Sequence, residues 1–168
     1  MNTGTAIGTY VFGSVVVVLI GVVIRRMLRG WRNRTQRQIE LIGTLPAMPD
    51  LVGPAVIAPT RGLYVGSTIA PDWLERVTVG DLGFRCRAVL TRYPEGILLE
   101  RSGAAEIFMP GPTITGVRVE SALAGKVGPA ILVIRWRLPS GTEIDTGFRG
   151  DDRDDYAPWT AQSIGEAA

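Results

Sequence analysis

The chain has 168 residues, 18 Lys and Arg against 16 Asp and Glu, one cysteine and no histidine. Without imidazole there is no Ser-His-Asp or Cys-His catalytic arrangement and no zinc site built on histidine, and the single Cys86 excludes an intramolecular disulfide. Six arginines precede residue 38 and leave 12 basic against 16 acidic residues beyond it, so the basic character is a local collar, which argues against nucleic acid as a partner.

Residues 1–24 carry no charge, and 5–24 is dominated by Val, Ile, Leu, Gly and Phe. At ~1.5 Å per residue such a stretch covers ~30 Å, the thickness of a bilayer core, and a lone segment in lipid has to be helical. A single N-terminal transmembrane α-helix is therefore expected over 1–24. A cleaved signal peptide is disfavoured, because the positive charges follow the apolar run and Arg25-Arg26 stand where small neutral residues would be needed.

Arg25, Arg26, Arg29, Arg32, Arg34 and Arg37 follow with no intervening acid. Basic residues are retained on the cytoplasmic side, so the N-terminus is expected outside and the rest of the chain inside, at the inner (plasma) membrane. Topology alone accounts for these arginines. The sharper reading adds attraction to anionic headgroups, at ~1 kcal/mol per basic residue near the surface. Trp31 falls near the expected headgroup level, where an indole keeps its N–H wet. Gly4 and Gly8 form a small-xxx-small pair of the kind that can mark a helix dimer face. Leu28, Trp31, Thr35, Ile39 and Ile42 recur at helical spacing, and Gly43, Pro46 and Pro49 then end the helix. The expected organisation is an anchor at 1–24, a basic juxtamembrane helix with a Pro-containing linker at 25–49, and a β domain at 50–168.

From Asp50 onward apolar runs shorten and Gly and Pro become frequent. Strands are expected over 55–58, 62–66, 76–79, 84–92, 96–101, 106–109, 114–120, 130–138 and 143–147. Pro94-Glu95-Gly96 reads as a reverse turn, Ser102-Gly103 as a tight hairpin and Pro139-Ser140-Gly141-Thr142 as a four-residue hairpin. Alternation in Arg85-Cys86-Arg87 points Cys86 inward and both arginines outward. Asp151, Asp152, Asp154 and Asp155 precede Tyr156 and Trp159, as expected for a helix start; Pro158 fits a first turn, and the helix is expected to run towards Ser163. The core candidates are Phe84, Phe108, Ile134, Trp136 and Trp159.

Little chemistry suggests itself. Glu143 and Asp145 share a strand face and read as solvent-facing charges. The four aspartates lack the glycine turn and distal glutamate of a calcium loop. No phosphate-cradling glycine motif opens a helix. No enzyme activity, catalytic residue, metal or cofactor is expected.

Phe108-Met109-Pro110-Gly111-Pro112, Ile114-Thr115-Gly116-Val117, Ile134-Arg135-Trp136, Gly141, Ile144, Thr146-Gly147-Phe148 and Tyr156, behind an Arg-rich flank, resemble a family of small actinobacterial, notably mycobacterial, single-pass membrane proteins. The resemblance covers nearly the whole chain. Its members are described as export or membrane proteins with a pleckstrin-homology-like (PH-like) cytoplasmic domain, encoded among pyrimidine-biosynthesis genes beside dihydroorotase and carbamoyl-phosphate synthase. It implies a seven-stranded bent sheet or partly open barrel with a C-terminal capping helix in which Trp159 sits. It also makes Arg85, Arg87 and Arg92 the nearest counterparts of headgroup-binding residues. The function implied is a membrane-tethered interaction or scaffolding module with a protein partner. The alternatives are an accessory subunit of a transport or export complex, or a module sensing anionic lipid.

Overall fold

A computed structural model describes the backbone of residues 3–152 and 154–161; side chains are described from Phe12 onward, except at 31–35, 126, 129, 153 and 162–168. The chain forms two compact units, Met1–Arg37 and Gln38–Ala168. Helix α1 runs from Thr3 to Ile42. Gly43, at φ +60, ends it in the left-handed conformation that a glycine adopts without penalty, and its N–H closes on the Ile39 carbonyl at 2.9 Å.

The transmembrane span expected over 1–24 is not borne out among the described residues, where no helix is long and apolar enough to cross a membrane. Within the described side chains the reason is charge: a helical stretch of spanning length that starts at Phe12 takes in Arg25, Arg26 and Arg29. The earlier part of the expected span, and Gly4 and Gly8 with it, lies outside the described side chains.

The second unit is built on seven antiparallel strands: β1 (Ile57–Ile69), β2 (Cys86–Tyr93), β3 (Gly96–Arg101), β4 (Ile107–Pro110), β5 (Ile114–Leu123), β6 (Lys126–Arg137) and β7 (Glu143–Gly150). Their order is β4-β3-β2-β1-β7-β6-β5, which leaves β4 and β5 as the edges of an open sheet. β1 holds the two halves together: its first part pairs with β2 and its second with β7, and Gly62, Leu63 and Tyr64 pair with both. Only glycine fits at position 62, because a Cβ there would overlap the Arg149 carbonyl and the Phe148 ring. A short helix, α2 (Ala157–Ala161), follows a 3₁₀ turn at Asp154–Tyr156. Ile107 and Met109 of β4 share one buried cluster with Leu132, Ile134 and Trp136 of β6, Tyr156 and Trp159. Strands from both halves of the order thus meet in one core, so the sheet curls over itself and α2 packs into the concavity. A smaller cluster, Val65, Leu123, Ala124, Ile131 and Val133, is formed by β1, β5 and β6 and the β5–β6 turn.

A chain of buried hydroxyls crosses the core. The Trp136 indole donates to Thr146 Oγ1 at 2.9 Å, Thr146 contacts Ser67 Oγ at 3.1 Å, and Ser67 meets the Tyr64 hydroxyl, which donates to the Leu82 carbonyl at 2.7 Å. Trp136, Thr146, Ser67 and Tyr64 therefore each keep a partner after leaving water, as burial requires.

Several sequence expectations are corrected. The strands expected at 55–58 and 62–66 are one continuous β1, irregular near its start and bulged near Gly66. No strand forms at 76–79; an isolated bridge joins Arg76 to Thr68, the Val77 N–H reaches the Ser67 carbonyl of β1 at 2.9 Å, and the ladder stops there because the Thr78 N–H bonds to the Gln38 side chain instead. The Ser102-Gly103 hairpin is a longer loop between β3 and β4, because Ser102 bonds back to Arg87 and the Arg101 guanidinium takes the Ala105 carbonyl. Phe84 is 53% exposed, since β2 begins only at Cys86 and leaves it in the loop; Phe108, Ile134, Trp136 and Trp159 are buried. Asp145 is not solvent-facing but 1% exposed. Helix α2 is described to Ala161, and Ser163 lies outside the described residues.

Candidate functional site

Arg25, Arg26, Arg29 and Arg37 are exposed on α1. Trp31, Arg32 and Arg34 belong to the same helix, but their side chains lie outside the described ones. The three arginines suggested as headgroup ligands are separated. Arg85 is exposed just before β2 and Arg87 at its start, whereas Arg92 is half-buried at its far end, on the side opposite Arg87 by alternation.

Register assembles a different group. Directly opposed residues share a sheet face, so the pairings of Leu63 with Arg87 and with Arg149 set Arg87, Leu63 and Arg149 in one row across β2, β1 and β7. The adjacent core row, Cys86, Tyr64 and Phe148, is buried, which puts the arginines on the outer face. On that face a second row runs Glu100, Val89, Arg61. Asp151 is fixed at its end by an N–H bond to the Arg61 carbonyl at 3.0 Å, and its carboxylate accepts from Arg87 Nη1 at 2.7 Å. A shallow recess of about 290 Å³ lies here, lined by Arg61, Gly62, Arg87, Val89, Ser102 and Asp151 among others. Among the described residues Arg61, Arg85 and Arg149 make no ion pair. Sequence reasoning did not find Arg61 and Arg149, since only the β1–β7 register unites them.

Farther along the outer face the charges are consumed. Asp145 on β7 accepts from both Arg135 and Arg118, with bonds of 2.8 Å to each. Burial alone would raise its pKa, but the bonds from Arg135 and Arg118 overcome that and hold it below the ordinary carboxylate value. Arg118 also holds Glu120, and Arg137 holds Glu143 at 3.0 Å. Cys86 is buried, and burial raises its thiol pKa. Among the described residues no group of three or more Cys, Asp or Glu side chains is placed to hold a metal ion.

The outer face is thus an exposed arginine cluster with a recess, beside a self-neutralised ion-pair ladder. Such a surface can bind an anionic group. No curated protein shows a significant match to this chain. Residues 42–164, spanning the curled sheet and α2, match the family described as Bacterial PH domain-like, and the chain belongs to that family.

Proposed function

We propose that the protein is a membrane-tethered, non-catalytic interaction module whose PH-like domain binds a protein partner on the cytoplasmic side. The observation that carries the tether is the exposure of α1: Phe12 is 72% exposed, and Val15, Val17, Val18, Leu19, Ile20, Val22, Val23 and Ile24 are also exposed, covering every side of the helix. A helix apolar all round is stable only when something apolar surrounds it. The uncharged residues before Phe12 extend the stretch to bilayer length, and the arginines that follow suit a cytoplasmic boundary. A binding role fits a PH-like domain, a fold used for lipid or protein interaction. It also fits the lack of an available nucleophile or acid–base pair at the sites singled out, where Cys86 is buried and Asp145 is held by two arginines. The resembled family's gene setting makes pyrimidine-synthesis enzymes the first partners to test.

The test is proximity labelling in native cells with the full chain, against a control keeping residues 1–43. Partners lost in the control support the reading. Identical partner sets, or a full chain that a carbonate wash releases from membranes, overturn it.

A further inference from the structure

The arginine face has a composition that selects among anionic partners. Among the described residues Arg61, Arg85 and Arg149 stand exposed without an ion pair in a domain region that is acidic in total, while Arg118, Arg135 and Arg137 on the same sheet are all neutralised. Between them lie Leu63 and Val89, both half-buried, so the surface alternates cationic arms with aliphatic contacts. The recess is also occupied in part by the protein's own carboxylate. Asp151 reaches Arg87 at 2.7 Å, with the two side chains 57% and 68% exposed. An ion pair so open to water is worth little and exchanges readily.

Resting on the reading of the domain as a protein-binding module, we infer that the recess between Arg61 and Arg87 receives a carboxylate from an acidic, partly aliphatic peptide segment of the partner. Asp151 holds that carboxylate's place in the free domain. The size of the recess suits one or two side chains. Leu63 and Val89 supply contacts that a hydrated lipid headgroup would leave unused, and Arg149, in one row with Leu63 and Arg87, extends the cationic path for an extended segment. A bilayer fits less well, because Glu100 and Asp151 rim the same face and would be pressed against anionic lipid.

The exchange is read by titrating the full chain, in phosphatidylcholine nanodiscs, with a fluorescein-labelled peptide of alternating Glu and Leu and following anisotropy. Binding is expected for this peptide and not for a Lys-Leu peptide of equal length, and it should weaken as salt rises. The double variant R61Q/R149Q should bind about tenfold or more weakly, at unchanged circular dichroism, since charge-assisted bonds are lost. D151N, which frees Arg87, should bind several-fold more tightly, and R137Q should bind as the native chain does. Equal binding by R61Q/R149Q, or weaker binding by D151N, overturns the proposal. Loss of peptide binding on replacing part of the phosphatidylcholine with phosphatidylserine assigns the face to the bilayer and overturns it too. Displacement by submillimolar inorganic phosphate makes the recess a small-anion site and likewise overturns it. If the tether reading alone fails, the chain does not assemble into nanodiscs, and the same titration in neutral detergent still decides this one.

Discussion

Asp145 shows how far a single side chain can depart from the surface role its neighbours suggest. It is buried on β7, yet it stays ionised because two guanidiniums close on it. Removing one member of a buried ion pair typically costs about 3–5 kcal/mol. Arg118 and Arg135 remain 35% and 29% exposed and regain water, so D145A should cost less, about 2–3 kcal/mol. R137Q, on an exposed pair, should cost under ~1 kcal/mol. Urea unfolding of the variants checks both. Because folding lowers the Asp145 pKa, the unfolded chain takes up the proton first as pH falls. Its contribution is present above the unfolded value of ~4 and is lost as pH drops through the folded one; D145N should lose this part of the acid slope. Tyr64 gives the opposite edge. Burial pushes it up from 10.0 to about 12, so its contribution is whole below the unfolded value and fades as pH rises through that interval. Y64F should flatten this alkaline loss while losing the bonds to Leu82 and Ser67, and the unfolding midpoint against pH reads both effects.

At the scale of elements, β1 organises the domain, and Gly62 is where β1 meets β2 and β7 at once. G62A forces a methyl into the Arg149 carbonyl, which is backbone and cannot swing aside; its cost should exceed ~2 kcal/mol, in the range of overpacked cores. Thermal unfolding of G62A, beside G116A on β5, where a Cβ meets nothing within 4 Å, tests this. Much of this architecture was legible beforehand. The β2, β3, β6 and β7 segments, the Pro94-Glu95 turn and the end of α1 at Gly43 were marked by alternation and turn residues whose physics is local. The continuity of β1 was not, since Pro59, which has no N–H to give a ladder, lies in the gap between the two expected strands and only pairing with β2 and β7 carries the strand through it. The absence of a strand at 76–79 was equally hidden, because Gln38, remote in sequence, takes the Thr78 N–H at 3.1 Å and donates to the Arg76 carbonyl at 3.0 Å. The arginine face belongs to the same class: Arg85 and Arg87 announce themselves by alternation, whereas Arg61 and Arg149 join them only through register.

Across the whole molecule, charge is sorted along the chain: an uncharged stretch, an arginine collar, and a domain region in which acids outnumber bases. Under the proposed tether, the collar's effect is expected on orientation more than on affinity, since an apolar stretch would supply the insertion energy and retained arginines would choose the side. The chain carries its own control for testing this. Cys86 is its single cysteine, buried, with a thiol pKa raised by burial, so it contributes little background to maleimide labelling. A new cysteine in place of Asn2 should then label from outside intact cells with an impermeant maleimide. Replacing Arg25, Arg26, Arg29, Arg32, Arg34 and Arg37 together by glutamine should leave the chain in the carbonate-resistant membrane fraction and reduce outside labelling at position 2 by more than half. Undiminished labelling would mean that the collar does not orient the chain, and its arginines would then be assigned to headgroup attraction. Release into the soluble fraction would show that charge, not apolar length, holds the protein at the membrane.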